Sequence, residues 1–290
     1  MTSDIMFTPV IILGAGRSGT NILRDVLTSL PQFETWPCDE IQPIWRHGNL
    51  DWPDDAFSSD MARPDVAAYI RNQFIKQWER SEKPDFLVEK TCANTLRVPF
   101  IDKIFPEAVY IQIVRDGSDV VRSAEKRWSG DLEVPSFSYF FAKARFIPVT
   151  DIPVYLWSFL SKRLGLLTGT SKQLSSWGPR FKDIDKTHTN TLQEMCAHQW
   201  AACVRATHEH LSNIKPDRQI TISYEDFIRN PQDEISQIFE LLGVKFSDGE
   251  LAQAVKKVRV KTTKAKHVEL ENKAAEDILS AGFNNCKTRN

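Results

Sequence analysis

The stretch from Val10 to Leu30 constrains this chain more than any other. The apolar run Val10-Ile11-Ile12-Leu13 enters Gly14-Ala15-Gly16-Arg17-Ser18-Gly19-Thr20-Asn21. Apolar residues then recur at Ile22, Leu23, Val26, Leu27 and Leu30 until Pro31. A buried strand, a glycine turn and an amphipathic helix are the reading of that pattern. Glycines let the backbone turn tightly and aim its N–H groups at an anion lying on the helix N-terminus. A phosphate-type ligand is therefore expected at residues 14–21.

The rhythm continues downstream. Strands are predicted over 33–36, 86–89, 109–114 and 219–223, with helices over 64–80, 95–105, 118–128 and 232–242, the last closed by Gly243. Alternating strands and helices imply a three-layer α/β fold with a mostly parallel sheet. Residues 37–60 read as loop. The aromatic-rich interval 129–189 breaks the alternation and is expected to be an inserted helical lid within a single domain spanning 1–290.

Composition narrows the function classes. Thirty-seven basic residues stand against 38 acidic ones, so nothing in the balance calls for nucleic acid. The five cysteines, Cys38, Cys92, Cys196, Cys203 and Cys286, contain no CxxC pair, which favours free thiols over zinc. The N-terminal stretch lacks the basic and small-residue features of a signal peptide, and the apolar residues 146–168 are too interrupted to span a bilayer. A cytoplasmic location is the expectation.

Three ligands compete for the glycine loop. It satisfies G-x-G-x-x-G, with Glu34 as a ribose-binding acid, yet no prompt third strand completes a dinucleotide half-domain. It approaches G-x-x-x-x-G-K-[ST], but Thr20 stands in place of the lysine and Asn21 in place of the magnesium-binding hydroxyl. The third reading places the cation inside the turn, as Arg17.

Two further segments bear on the choice. In Val109-Tyr-Ile-Gln-Ile-Val-Arg115, an arginine ends a buried strand, and Ser123 follows eight residues later in the next helix. An arginine fork plus a hydroxyl suits a phosphate monoester. The strand Phe86-Leu-Val ends in Glu89-Lys90-Thr91-Cys92.

Together these segments resemble the sulfotransferases that use 3′-phosphoadenosine 5′-phosphosulfate (PAPS), in particular the Glu-Lys-Thr, carbohydrate-type members. The resemblance implies a P-loop-like sulfotransferase fold and a metal-free transfer of a sulfuryl group. Gly16, Arg17, Ser18, Gly19, Thr20 and Asn21 would hold the 5′-phosphosulfate, and Arg115 with Ser123 the 3′-phosphate. Glu89 would act as general base and Lys90 would offset developing charge. Ile222-Ser223-Tyr224 resembles the family's late strand, where the tyrosine approaches adenine; core packing serves Tyr224 equally well. Cys92 stands where that segment usually has proline, and Gly117 likewise.

The acceptor is expected to be a carbohydrate hydroxyl, with a small-molecule hydroxyl or amine as the alternative and a kinase-like phosphotransfer behind both. A non-catalytic nucleotide-binding protein would keep the phosphate loops and tolerate loss of Glu89. The loop Trp45-Arg46-His47-Gly48-Asn49-Leu50-Asp51-Trp52 offers indoles for sugar stacking and, in His47, a second base whose ordinary pKa of about 6.5 suits proton abstraction. The acid-free run 255–267 is a solvated face or a patch for an acidic acceptor, and the lid is a site for peripheral contact with a glycolipid membrane.

Overall fold

The computed structural model describes residues 5–128, 146–153, 178–184, 191–258 and 281. Most of the predicted lid, the segment beyond 258 and Cys286 lie outside the described residues.

Five parallel strands form one sheet: β1 (Thr8–Leu13), β2 (Phe33–Thr35), β3 (Phe86–Glu89), β4 (Val109–Val114) and β5 (Gln219–Ser223), in the order β2-β3-β1-β4-β5. β1 is central, with Val10 opposite Val88 on one side and Val109 on the other. Period-2 alternation sends its residues to opposite layers. Ile11 and Leu13 join a core with Trp36, Trp45, Phe74, Phe100 and Phe105, whereas Val10 and Ile12 pack with Leu23, Phe33, Ile235 and Phe239. Burial on both faces explains why β1 and β4 read as near-continuous apolar runs, and the one amide in β4, Gln112, is buried accepting from Thr221 Oγ1 at 2.9 Å.

Helices cover these faces: α1 (Thr20–Leu27), α2 (Gln42–Arg46), α3 (Pro64–Arg80), α4 (Val98–Ile104), α5 (Gly117–Trp128), α6 (Leu192–Leu211), α7 (Tyr224–Arg229), α8 (Pro231–Leu242) and α9 (Asp248–Val255). The expected helix over 95–105 is split. A 3-10 turn, Cys92–Leu96, precedes α4, and Pro99 sits in the first turn of α4.

One expectation is corrected. The 37–60 stretch contains α2, and Trp45 on it is fully buried against Phe74 and Phe105 instead of facing an acceptor. Arg46 explains the misleading polarity. Its guanidinium donates to the carbonyls of Leu50, Trp52 and Asp54 and pairs with buried Asp55 at 2.9 Å, so a polar loop is tied down over an apolar helix. Trp52 stays exposed.

Candidate active site

In an open parallel sheet, ligands gather at the carboxyl edge where strand order reverses. Here that edge lies between β1 and β4, and the loops leaving both strands meet there. Gly14 is a glycine because an added Cβ would fall 2.7 Å from Thr20 Cγ2 and 2.9 Å from the Ile113 carbonyl. Gly19 caps α1 at φ +92°, and its Cβ would strike the Tyr224 ring at 2.4 Å. Arg17 holds φ +74° without being glycine, a conformation costing about 1–2 kcal/mol. Ser18 and Thr20 are buried, Gly16 is half-buried, and Arg17 and Asn21 are exposed. No side chain caps α1 and no acid occupies its first turn, which leaves its N–H groups and dipole open to an anion.

Two segments distant in sequence, 115–123 and 224–225, converge on this loop. Arg17 Nε donates to Ser123 Oγ at 2.9 Å, and Arg115 Nη1 donates to the Arg17 carbonyl at 3.1 Å. The Arg115 guanidinium lies 4.5 Å over the Tyr224 ring and 3.6 Å from Asp119, while its Nε is buried with no hydrogen-bond acceptor. Glu225 accepts from the Asp116 N–H at 3.1 Å, bracing the turn that carries Arg115. Sequence reasoning had assigned Arg17 and Ser123 to opposite ends of a nucleotide. The structure puts them in direct contact.

A second cluster stands at the end of β3. Glu89 is 1% exposed, accepting from Thr91 Oγ1 and from Asn94 Nδ2, each at 2.5 Å. Burial lifts its carboxyl to about 6, against the Thr91 donor and the nearby Arg97 and Lys90 charges that pull it down. The Trp45 indole N–H pulls in the same direction from outside full hydrogen-bond geometry. Arg97 is itself fully buried between the Trp45 and Phe57 rings, donating to Asn94 Oδ1 at 2.8 Å and Gln42 Oε1 at 2.6 Å. Burial drags its guanidinium down to about 10.

Lys90 points at a residue that sequence reasoning missed. Its Nζ lies 3.6 Å from Glu40 Oε1, which also accepts the Cys92 N–H at 3.2 Å. Burial works to lower the Lys90 ammonium. The Cys92 sulfur and the Glu40 and Asp39 carboxylates outweigh it and hold the group above its usual range. Asp39 pairs with Arg24 of α1 at 2.8 Å, so this cluster is roped to the helix that follows the glycine loop. Glu40 stands 50 residues from Lys90 with no motif around it, and the pairing of β2 with β3, Thr35 opposite Val88, brings the loop after one strand beside the end of the other. The Cys92 thiol is pushed well above its usual range by burial, so it is no nucleophile.

His47 is engaged elsewhere. Nδ1 lies 2.9 Å from Asp151 Oδ2, and the ring packs on Tyr69 at 3.8 Å.

Comparison with known proteins agrees with this geometry. The profile of the Sulfotransferase family matches residues 9–145 and 167–248, roughly three quarters of the chain. The chain belongs to the sulfotransferase family. Over 131 residues it is 26% identical to a candidate protein-tyrosine sulfotransferase of Caenorhabditis briggsae, a match spanning 41% of this chain and 43% of that relative. The sulfotransferase domain of the curacin biosynthetic pathway superposes with a TM-score of 0.54 at 15% identity, covering 97% of this chain and 99% of that one. The sulfotransferase domain of a Synechococcus olefin synthase gives 0.51 at 14% identity over 98% of each chain. These two likenesses establish the sulfotransferase fold. Among the described residues, no helix is long and apolar enough to cross a membrane.

Proposed function

We propose that this protein transfers the sulfuryl group of PAPS to an acceptor hydroxyl. The observation that carries the reading is the convergence of Arg17, Ser123, Arg115 and Tyr224 on the uncapped start of α1. The residues suit the nucleotide. The buried Arg115 Nε lacks an acceptor, the Tyr224 ring offers a stacking face beneath Arg115, and the α1 amides face outward without a cap. When bound, PAPS supplies an activated sulfuryl group on a phosphate leaving group.

In this reading, residues 16–21 cradle the 5′-phosphosulfate. Arg17 leaves Ser123 to offset charge on the departing phosphate, and the freed Ser123 hydroxyl joins Arg115 at the 3′-phosphate. Lys90 neutralises charge on the moving group, since positioning and fixed cations dominate transfers of this type. Two carboxylates are available as base. Glu89 has the raised pKa that suits acid–base work, but both its oxygens are occupied in the core. Glu40 is 28% exposed and lies beside Lys90, so the geometry favours Glu40 for the acceptor proton.

The acceptor is a carbohydrate hydroxyl in the Glu-Lys-Thr analogy, to which the exposed Trp52 contributes one stacking surface. The similarity to a candidate protein-tyrosine sulfotransferase favours a phenolic hydroxyl as second reading. Calorimetric titration with 3′-phosphoadenosine 5′-phosphate (PAP), beside ATP–Mg²⁺, NADH and adenosine 5′-phosphate, tests the donor. Binding tightest to the 3′-phosphorylated nucleotide supports the reading; no preference for the 3′-phosphate sinks it. Transfer of labelled sulfate to a tyrosine peptide, an oligosaccharide and a simple alcohol then ranks the acceptors.

A further inference from the structure

Glu40 is a loop residue, yet it must stay beside Lys90 without a helix or strand of its own to hold it. The restraint comes from the core. The Ile41 N–H, the peptide group immediately after Glu40, donates to Thr91 Oγ1 at 3.2 Å. Thr91 is fully buried, and its hydroxyl proton is spent on Glu89 Oε1 at 2.5 Å, which turns the hydroxyl lone pairs toward Ile41. The other Glu89 oxygen is fixed by Asn94 Nδ2. Asn94 cannot turn its amide over because Arg97 Nε donates to its Oδ1 at 2.8 Å. Every polarity in this chain is therefore set from Arg97 outward. An amide–hydroxyl–carboxylate relay of this kind has one arrangement in which each donor meets an acceptor.

We propose that Thr91 is a positioning residue, anchored by Glu89, whose hydroxyl holds the Ile41 N–H and thereby keeps Glu40 against Lys90. That Glu40 and Lys90 then act on an acceptor rests on the sulfuryl-transfer reading; the relay itself does not. It also gives Glu89 work to do without contact with any substrate. The buried carboxylate is the acceptor that orients Thr91, and the nearby positive charges of Arg97 and Lys90 favour its ionised form.

The test needs no acceptor and no nucleotide. Hydrogen exchange at the Ile41 amide and NMR titration of a ¹³Cε-labelled Lys90 are followed in the full chain for wild type, Thr91→Val and Thr91→Ser. Valine matches threonine in shape but removes the acceptor for Ile41. Ile41 exchange is expected to speed up about ten-fold or more, and the Lys90 ammonium to titrate lower than in wild type as Glu40 departs. Serine restores the hydroxyl and is expected to return both readouts to wild type. Thr91→Ala is the second variant should valine prevent folding, with the same expectation. Unchanged Ile41 exchange and unchanged Lys90 titration in the hydroxyl-free variant overturn the proposal, as does a serine variant that behaves like valine. Failure of PAP to bind wild type is a separate outcome. It removes the sulfotransferase reading and leaves the relay to be judged on these two measurements.

Discussion

Single side chains at this site are constrained by what lies a few ångströms away. Gly19→Ala places a methyl group inside the Tyr224 ring while φ stays at +92°, and a positive φ on a non-glycine residue alone costs about 1–2 kcal/mol. A drop in melting temperature of several degrees and weakened PAP binding are the expected outcomes, read by calorimetry. Arg17→Ala should abolish transfer while leaving the fold intact, since Arg17 is exposed and already strained. Glu89 makes a prediction about pH. Its folded-state carboxyl, at about 6, lies above the ordinary 4.5, so the folded protein binds the extra proton between those values. The contribution of Glu89 to stability is thus fully present below about pH 4.5 and is lost as pH rises through 6, by about 2 kcal/mol. Urea unfolding of wild type and Glu89→Gln at pH 4.5 and 7 should show a smaller loss over that interval in the variant. An equal loss in both proteins contradicts the assignment.

At the level of elements, the strands were legible because short runs rich in β-branched and aromatic residues mark them, near-continuous in β1 and β4 and alternating with polar residues in β5. Residues 86–89, 109–114 and 219–223 fall where β-branched periodicity puts them, and 64–80 is the helix its period demands. What escaped was structure whose sequence looks polar. α2 is short and begins with proline near its start, and the residues after it are charged, so Trp45 reads as a loop indole although it is core. The glycine loop and the Arg115–Ser123 segment were legible as local motifs, but contact between Arg17 and Ser123 spans 106 residues and has no local signature. Glu40 is the same case, since its partners come from another strand. Asp55 shows what such a hidden tie is worth. One oxygen receives Arg46 and Gln42, and the other receives the Arg180 amide from the 178–184 segment. Asp55→Ala leaves Arg46 largely buried without its partner, at a cost of about 3 kcal/mol or more. The Arg180 amide is expected to exchange faster in that variant, and retained protection there would show that the segment is held by something else.

For the molecule as a whole, the site and the fold are one construction, because every group proposed to touch the nucleotide sits on a loop or helix that follows a strand at the same edge of one sheet. Ligand that binds only the folded chain should therefore raise its stability as a unit, by about 2.7 kcal/mol at a hundred-fold excess over Kd. Differential scanning calorimetry should show a single transition moving upward with PAP and staying put with ATP–Mg²⁺. The opposite pattern returns the glycine loop to a phosphotransfer reading.

The central place of β1 has a consequence for how the chain is made. β1 hydrogen-bonds to β3 and β4 but not to β2, the strand that follows it. A ribosome therefore releases the most apolar strand long before either neighbour exists, and Val10–Leu13 must wait until Val109–Val114 has emerged to be covered on both edges. For that interval the growing polypeptide offers two naked strand borders to anything nearby, a state prone to aggregation until β4 has emerged.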